Sequence, residues 1–265
     1  MIKTNLLNET GLHKVIDQNG KFSVVEYDKD VSVSPQDAAI AYFASEMNVK
    51  KRQVIATLDS NGVIIQAGAM QIMAGSIEAA TNIKGAGDLL KKAVSAAVTK
   101  ETVIKPKYSG TGQIVLEPTF RYVILQDMDD WNGSMVIEDG LFLACDDTVD
   151  ITVTARSTFS SAILGGEGLF NSSLKGKGIV VLESPVPLDE LFIIDLDNDV
   201  LKIDGNMAIA WSGGLKFTVE RTTKTLIGSA ASQEGLVNVY RGTGRVLVAP
   251  VACNYNITIP TPVGL

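Results

Sequence analysis

Apolar residues along this chain fall in short runs whose period is two or one rather than 3.6. Residues 150–155 and 215–220 alternate apolar and polar side chains, as a half-buried strand does. The runs 114–116, 179–182 and 246–248 are apolar at every position, which predicts strands covered on both faces. Each consecutive run follows a Gly-x-Gly pair and stops near a proline. The sets are Gly110/Gly112 with Pro118, Gly176/Gly178 with Pro185, and Gly242/Gly244 with Pro250. Successive pairs lie 66 residues apart. A fixed interval of this size points to one supersecondary unit written three times. A unit this small buries too little alone, and packing three together solves that problem.

The second and third copies match piece by piece. Gly140 and Gly205 each open an apolar run, the alternating strands follow, and Glu167-Gly168 and Glu234-Gly235 precede the next strand. The first copy, opening at Gly68, is more divergent. The expected fold is mostly β: three tandem repeats resembling antiparallel β-sandwiches or double-stranded β-helices, with one or two short helices. Residues 1–50 form an N-terminal segment with a strand and a helix. Residues 51–118, 119–185 and 186–250 are the repeats, and 251–265 an extended C-terminal arm. All six paired glycines, Gly110, Gly112, Gly176, Gly178, Gly242 and Gly244, are read as hairpin turns, where positive φ is needed.

Two segments break the strand pattern. Ser34 and Pro35 suit the N-cap and first position of a helix whose inner face is Ala38, Ala41 and Tyr42. In the first repeat, residues 87–100 place Leu90, Val94, Ala97 and Val98 at helical spacing.

Composition narrows the functional classes. Net charge is −7 and the isoelectric point about 4.8, so no nucleic-acid footprint is expected; Lys50, Lys51 and Arg52 make one small basic cluster. Mean hydropathy is +0.20, which implies a large core or apolar surface shared between subunits. Cys145 and Cys253 form no framework and read as buried free thiols, which suits a reducing cytoplasm. No run approaches the length of a spanning helix, and the N-terminus carries no signal-peptide pattern.

Residues 165–170, Lys175 to Gly178, Val181 to Ser184, Glu234 to Leu236 and Arg241 to Leu247 together resemble the Altered Inheritance of Mitochondria protein 24 family. The resemblance covers roughly residues 65 to 250, and the first repeat departs from it. It implies a fold like the tryptophan RNA-binding attenuation protein, in tandem copies, assembled as a trimer or ring. It implies no enzymatic activity.

The chemistry-bearing residues are few. A dinucleotide fingerprint would need a third glycine where Val115, Val181 and Leu247 stand, and strands rather than helices follow. The single histidine, His13, lies outside the repeats, which leaves a histidine triad or a cupin-like metal site without its ligands. Asp195, Asp197 and Asp199 alternate and would share one strand face, a weak metal candidate; Val200 stands where a calcium loop wants glycine. Glu101, Glu167 and Glu234 recur beside Gly-rich loops and read as loop caps or interface residues. Trp131 and Trp211 read as core or interface packing. No cofactor and no catalytic residue are expected. The leading expectation is a non-enzymatic, homo-oligomeric scaffold acting through protein contacts. The alternatives are a small-molecule binding module with ligands between repeats or subunits, and a carboxylate-based enzyme.

Overall fold

The alternating and fully apolar runs become fifteen antiparallel strands in a computed structural model that describes residues 3–80, 105–155, 170–221 and 236–250. The N-terminal segment forms β1 (His13–Asn19), β2 (Phe22–Tyr27) and the helix α1 (Ala38–Glu46). Then come β3 (Arg52–Ile65), β4 (Met70–Ala80) and β5 (Lys107–Leu116). The middle of the chain supplies β6 (Tyr122–Asp127), β7 (Ser134–Glu138), β8 (Phe142–Asp146), β9 (Val149–Ala155), β10 (Phe170–Gly176) and β11 (Ile179–Ser184). The last described part supplies β12 (Phe192–Asp204), β13 (Ala208–Ser212), β14 (Lys216–Arg221) and β15 (Leu236–Val248).

These strands make two curled sheets. One runs β1-β2-β3-β8-β11-β6, with β5 also on β3 and β4 on β5; the other runs β12-β15-β13-β7-β10-β9, with β14 on β15. A strand carrying a Gly-x-Gly pair is central to its neighbours each time. β5 lies between β3 and β4, and β15 between β12 on one side and β13 and β14 on the other. In the middle of the chain, β11 pairs β6 and β8 while β10 pairs β7 and β9.

The six paired glycines are not hairpin turns. Gly110 and Gly112 lie inside β5, Gly242 and Gly244 inside β15, and Gly176 and Gly178 mark the step from β10 in one sheet to β11 in the other. Their positive φ values serve a bend, not a reversal. At Gly110 a Cβ would overlap the Ser76 carbonyl oxygen, and at Gly112 that of Ala74. The neighbouring backbone occupies the space a side chain would need, so only glycine permits the approach. The facing strands bend at the same level. Ser60 and Asn198 adopt left-handed φ within bulges of β3 and β12. Their N–H groups donate to the hydroxyls of Thr111 and Thr243, the middle residues of two Gly-x-Gly pairs. Between β6 and β7 the bend is a short 3-10 turn, 128–131, closed by left-handed Asn132.

The core follows from this curl. One apolar cluster gathers Met135, Ile137, Leu174, Ile209 and Leu247 of one sheet against Ile124, Cys145, Val180 and Leu182 of the other, with Trp131 among them. A second packs Phe22, Val54, Leu58, Ile114, Leu143 and Val181 within the first sheet. A third holds Trp211 against the rings of Phe217 and Tyr240. The runs 114–116, 179–182 and 246–248 are buried throughout, and each strand ends before its proline, at Leu116, Ser184 and Val248.

The N-terminal helix differs from expectation. It starts at Ala38 with Asp37 as its N-cap residue, because Ser34 bonds the Asp37 carboxylate and amide in a preceding turn. No α1 residue is buried; Ala41 is half-buried, while Ala38 and Tyr42 are exposed along with Ile40 and Phe43. The expected helix at 87–100 and the C-terminal arm lie outside the described residues.

The bend geometry ranks the glycines. Gly110→Ala should cost about 3 kcal/mol or more, since it combines backbone overlap with left-handed strain. Gly242→Ala meets Leu215 at 3.7 Å and should cost about 1–2 kcal/mol, from strain alone. Urea unfolding of the two variants measures the difference; equal losses would contradict the overlap at Gly110.

Candidate functional site

The densest arrangement of charge is built on β2 and β3. Their register sets Glu26 opposite Arg52. The Arg52 side chain is buried, and its Nη2 lies 2.7 Å from Glu26 Oε2, with Nε donating to the same oxygen at 3.0 Å. Nη2 also donates to Asn48 Oδ1 at 3.0 Å, and the guanidinium stacks over the Tyr122 ring at 4.3 Å. Lys50 bridges Asp28 at 2.9 Å and Glu26 at 3.4 Å, Lys14 reaches Asp28 at 3.2 Å, and Lys51 pairs with Asp30. The cluster that read as a basic patch is therefore neutralised residue by residue. Hydrogen bonding from Lys50 lowers the Asp28 pKa and raises that of Lys50, and the bond from Lys51 lowers that of Asp30. A buried guanidinium held this way is a positioning device, because its donors are used by the protein itself.

A second cluster ties three strands together. Lys21, in the β1–β2 turn, lies 2.7 Å from Asp146 Oδ1 at the end of β8 and donates to the Gly62 carbonyl oxygen. Asp146 Oδ2 accepts from the Ile179 N–H at 2.7 Å, at the start of β11. A side chain at Gly178 would overlap this carboxylate, so the glycine makes room for the bond. Beside it, Cys145 is free and buried, and burial drives its thiol pKa far above the ordinary value. The thiol stays protonated and is no nucleophile.

Carboxylate–arginine pairs flank the last Gly-x-Gly. Arg241 forks onto Glu220 of β14 at 2.6 and 2.8 Å, and Arg245 onto Asp195 of β12 at 2.8 and 3.1 Å. The sequence signal was the pattern Arg241-Gly-Thr-Gly-Arg245, whose two charges flank a strand bend and so reach opposite neighbours.

The weak metal candidates do not converge. A bulge between Leu196 and Asp199 shifts the alternation, so Asp195 pairs with Arg245 but Asp199 with Gly242. Asp195 is held by Arg245, and Asp199 accepts from the Val200 N–H. Among the described residues no group of three or more metal-binding side chains gathers. Glu101, Glu167, Glu234 and Cys253 lie outside the described residues. His13 contacts the Thr10 hydroxyl at 3.0 Å and packs on the Tyr27 ring. No helix of the described residues is long and apolar enough to cross a membrane.

Two curled sheets, with glycine-bent strands inside each, a glycine step between them from β10 to β11, and charge spent on internal ties, define an all-β protein of bent ribbons. The chain belongs to the mitochondrial biogenesis AIM24 family, whose model matches residues 45–251. It is similar to an uncharacterized protein of Streptococcus pyogenes serotype M6, 26% identical over 194 residues, 70% of this chain and 75% of that protein. Its fold also resembles the crystal structure of a Streptococcus pyogenes protein solved by a structural genomics consortium. That likeness has a TM-score of 0.56 at 20% identity and covers 91% of this chain and 94% of that one.

Two measurements test the ionic ties. Arg52→Met should destabilise by about 3 kcal/mol by leaving the buried Glu26 with only its longer contact to Lys50, and adding Glu26→Leu should recover part of that loss. Additive losses in a double-mutant cycle by urea unfolding would contradict the pair. The second concerns acid. Asp28, Asp30, Asp147 and Asp195 sit below their ordinary values because a cation hydrogen-bonds each, and Glu220 is brought down to about 2, chiefly by Arg241. Groups with a lowered folded pKa add stability above the unfolded value and lose it as pH falls through the folded one. The urea midpoint should therefore fall as pH drops from about 4.5 toward 2, and fall less in Glu220→Gln, modestly because that pair is exposed.

Proposed function

We propose that this protein works through protein contacts, as a self-assembling β-scaffold with no catalytic chemistry of its own. What carries the reading is the placement of exposed apolar side chains. Ile72 and Met73 on β4, and Phe192, Ile193 and Val200 on β12, lie open on strands at the margins of the ladder. Apolar residues clustered this way mark contact surfaces more often than isolated ones do. The charged residues support the same reading, since the arginines Arg52, Arg241 and Arg245 all bond carboxylates or carbonyls of their own chain. The buried free thiol of Cys145 fits a reducing cytoplasm.

Light scattering of the purified chain at micromolar concentration tests the reading. The expected mass is at least twice the 28.2 kDa of one chain. A strict monomer across that range would sink it.

A further inference from the structure

Two junctions inside the chain share one design. In the first, β3 meets β8 through Val63↔Asp146, Ile64↔Cys145 and Ile65↔Ala144. In the second, β7 meets β13 through Met135↔Ser212, Val136↔Trp211 and Ile137↔Ala210. The first strand of each junction can be located from its bend. Val63 stands three residues beyond left-handed Ser60, and Met135 three beyond left-handed Asn132. The other strand can be located from the glycine contact. The carbonyl oxygen that closes on Gly176 is that of Thr148, two residues beyond Asp146; the one nearest Gly242 is that of Gly214, two beyond Ser212.

The same two marks occur once more, unmatched. Leu201 stands three residues beyond left-handed Asn198 on β12. On β4, Ala74 stands two residues before Ser76, whose carbonyl oxygen closes on Gly110. Leu201, Lys202 and Ile203 pair with Tyr240, Val239 and Asn238 on one side. Ala74, Met73 and Ile72 pair with Gln113, Ile114 and Val115 on one side. Among the described residues, no strand lies on the other side of either segment.

Burial separates these edges from their counterparts. Ala144, Cys145, Ala210 and Trp211 are at most 2% exposed, whereas Ile72 and Met73 are 44% and 42% exposed. Ile124 and Leu125 pair with Leu182 and Val181, four and three residues beyond the second glycine, and are 3% and 9% exposed. Phe192 and Ile193 make the same pairs with Val248 and Leu247 but are 58% and 54% exposed. β4 also lacks the usual protection of an edge: over Met70–Ala80 it has one charge, Glu78, and no proline.

We infer that β12 of one copy adds antiparallel to β4 of a second copy, in the register Leu201↔Ala74, Lys202↔Met73 and Ile203↔Ile72. This rests on the assembly reading above and specifies its interface. The two edges are unlike, and each chain has one of each, so the contact is head-to-tail and leads to a ring or a filament. Strand addition supplies the backbone bonds, and the exposed side chains of Ile72 and Met73 on one edge and Val200 on the other supply apolar surface to bury.

Mixing two single-cysteine proteins tests the register. One carries Met73→Cys and the other Lys202→Cys, both with Cys145 and Cys253 replaced. Directly opposed positions bring their Cβ atoms within disulfide reach. Oxidation should give a covalent heterodimer from the mixture and little from either protein alone. A linked product cannot arise by closure within one chain, so its absence overturns the inference. Charge variants give a second readout, since Met73 is exposed in the single chain. Met73→Lys sets two ammonium groups opposite each other and should shift the mass by light scattering to that of one chain; Met73→Glu should retain the assembly. Equal behaviour of the two, with the native chain still assembled, overturns this interface and leaves the assembly reading standing. A monomeric native chain overturns both.

Discussion

The strands of this fold change direction without giving up their ladders. What allows it is glycine, whose positive φ serves every bend and whose missing Cβ, at Gly110, Gly112 and Gly176, lets a neighbouring carbonyl oxygen seat against it. At Gly110 and Gly112 the β4 backbone comes so close to β5 that any side chain would displace it. Opposite, Ser60 and Asn198 take up the same bend with a left-handed residue whose amide is satisfied by a threonine hydroxyl. The chain can then cross the bend with little lost hydrogen bonding, which a buried backbone requires. Long ribbons that bend without breaking let the sheets curl, and an apolar cluster is shared by both of them.

Side-chain charge has a complementary task. The N-terminal hairpin has an outward strand, β1, that is largely exposed and buries no residue. Its attachment comes from β2, which is buried between β1 and β3, and from two ion pairs that reach across strands. Such pairs add little net stability compared with apolar packing, but removing one partner is costly, so they fix register more than they strengthen it.

Much of the architecture was legible in the sequence. Alternation gave β9 and β14, consecutive apolar residues gave the buried runs in β5, β11 and β15, and Pro118, Pro185 and Pro250 marked the stops. The Gly-x-Gly pairs mark where the chain bends, but not that the bend lies inside a strand. Positive φ suits a hairpin and a strand bend alike, and what tells them apart is the neighbouring backbone, which no single segment encodes. The Asp195, Asp197 and Asp199 alternation failed for a similar reason: a bulge is a property of two strands together. Lys50, Lys51 and Arg52 resemble a surface patch because their acidic partners lie more than twenty residues earlier, on β2 and just after it, and the register that brings them together is not written in either segment alone. For Tyr42, helical spacing was right and the assumed core was missing, since α1 has no buried face.

That last feature bears on how this chain can change over time. The excursion that contains α1 leaves from Tyr27 and returns at Arg52, and its ends are already held together by the Glu26↔Arg52 pairing. Closing such a loop costs little more when it is longer; doubling its length adds only about 0.6 kcal/mol. The stretch from Ala38 to Glu46 contributes no buried residue, while the anchoring contacts of Arg52 fall on Asn48 and Lys50 beyond it. The helix is thus a compartment of the sequence where insertion, exchange or loss leaves the sheets intact, a site where relatives can diverge and where foreign segments can be carried.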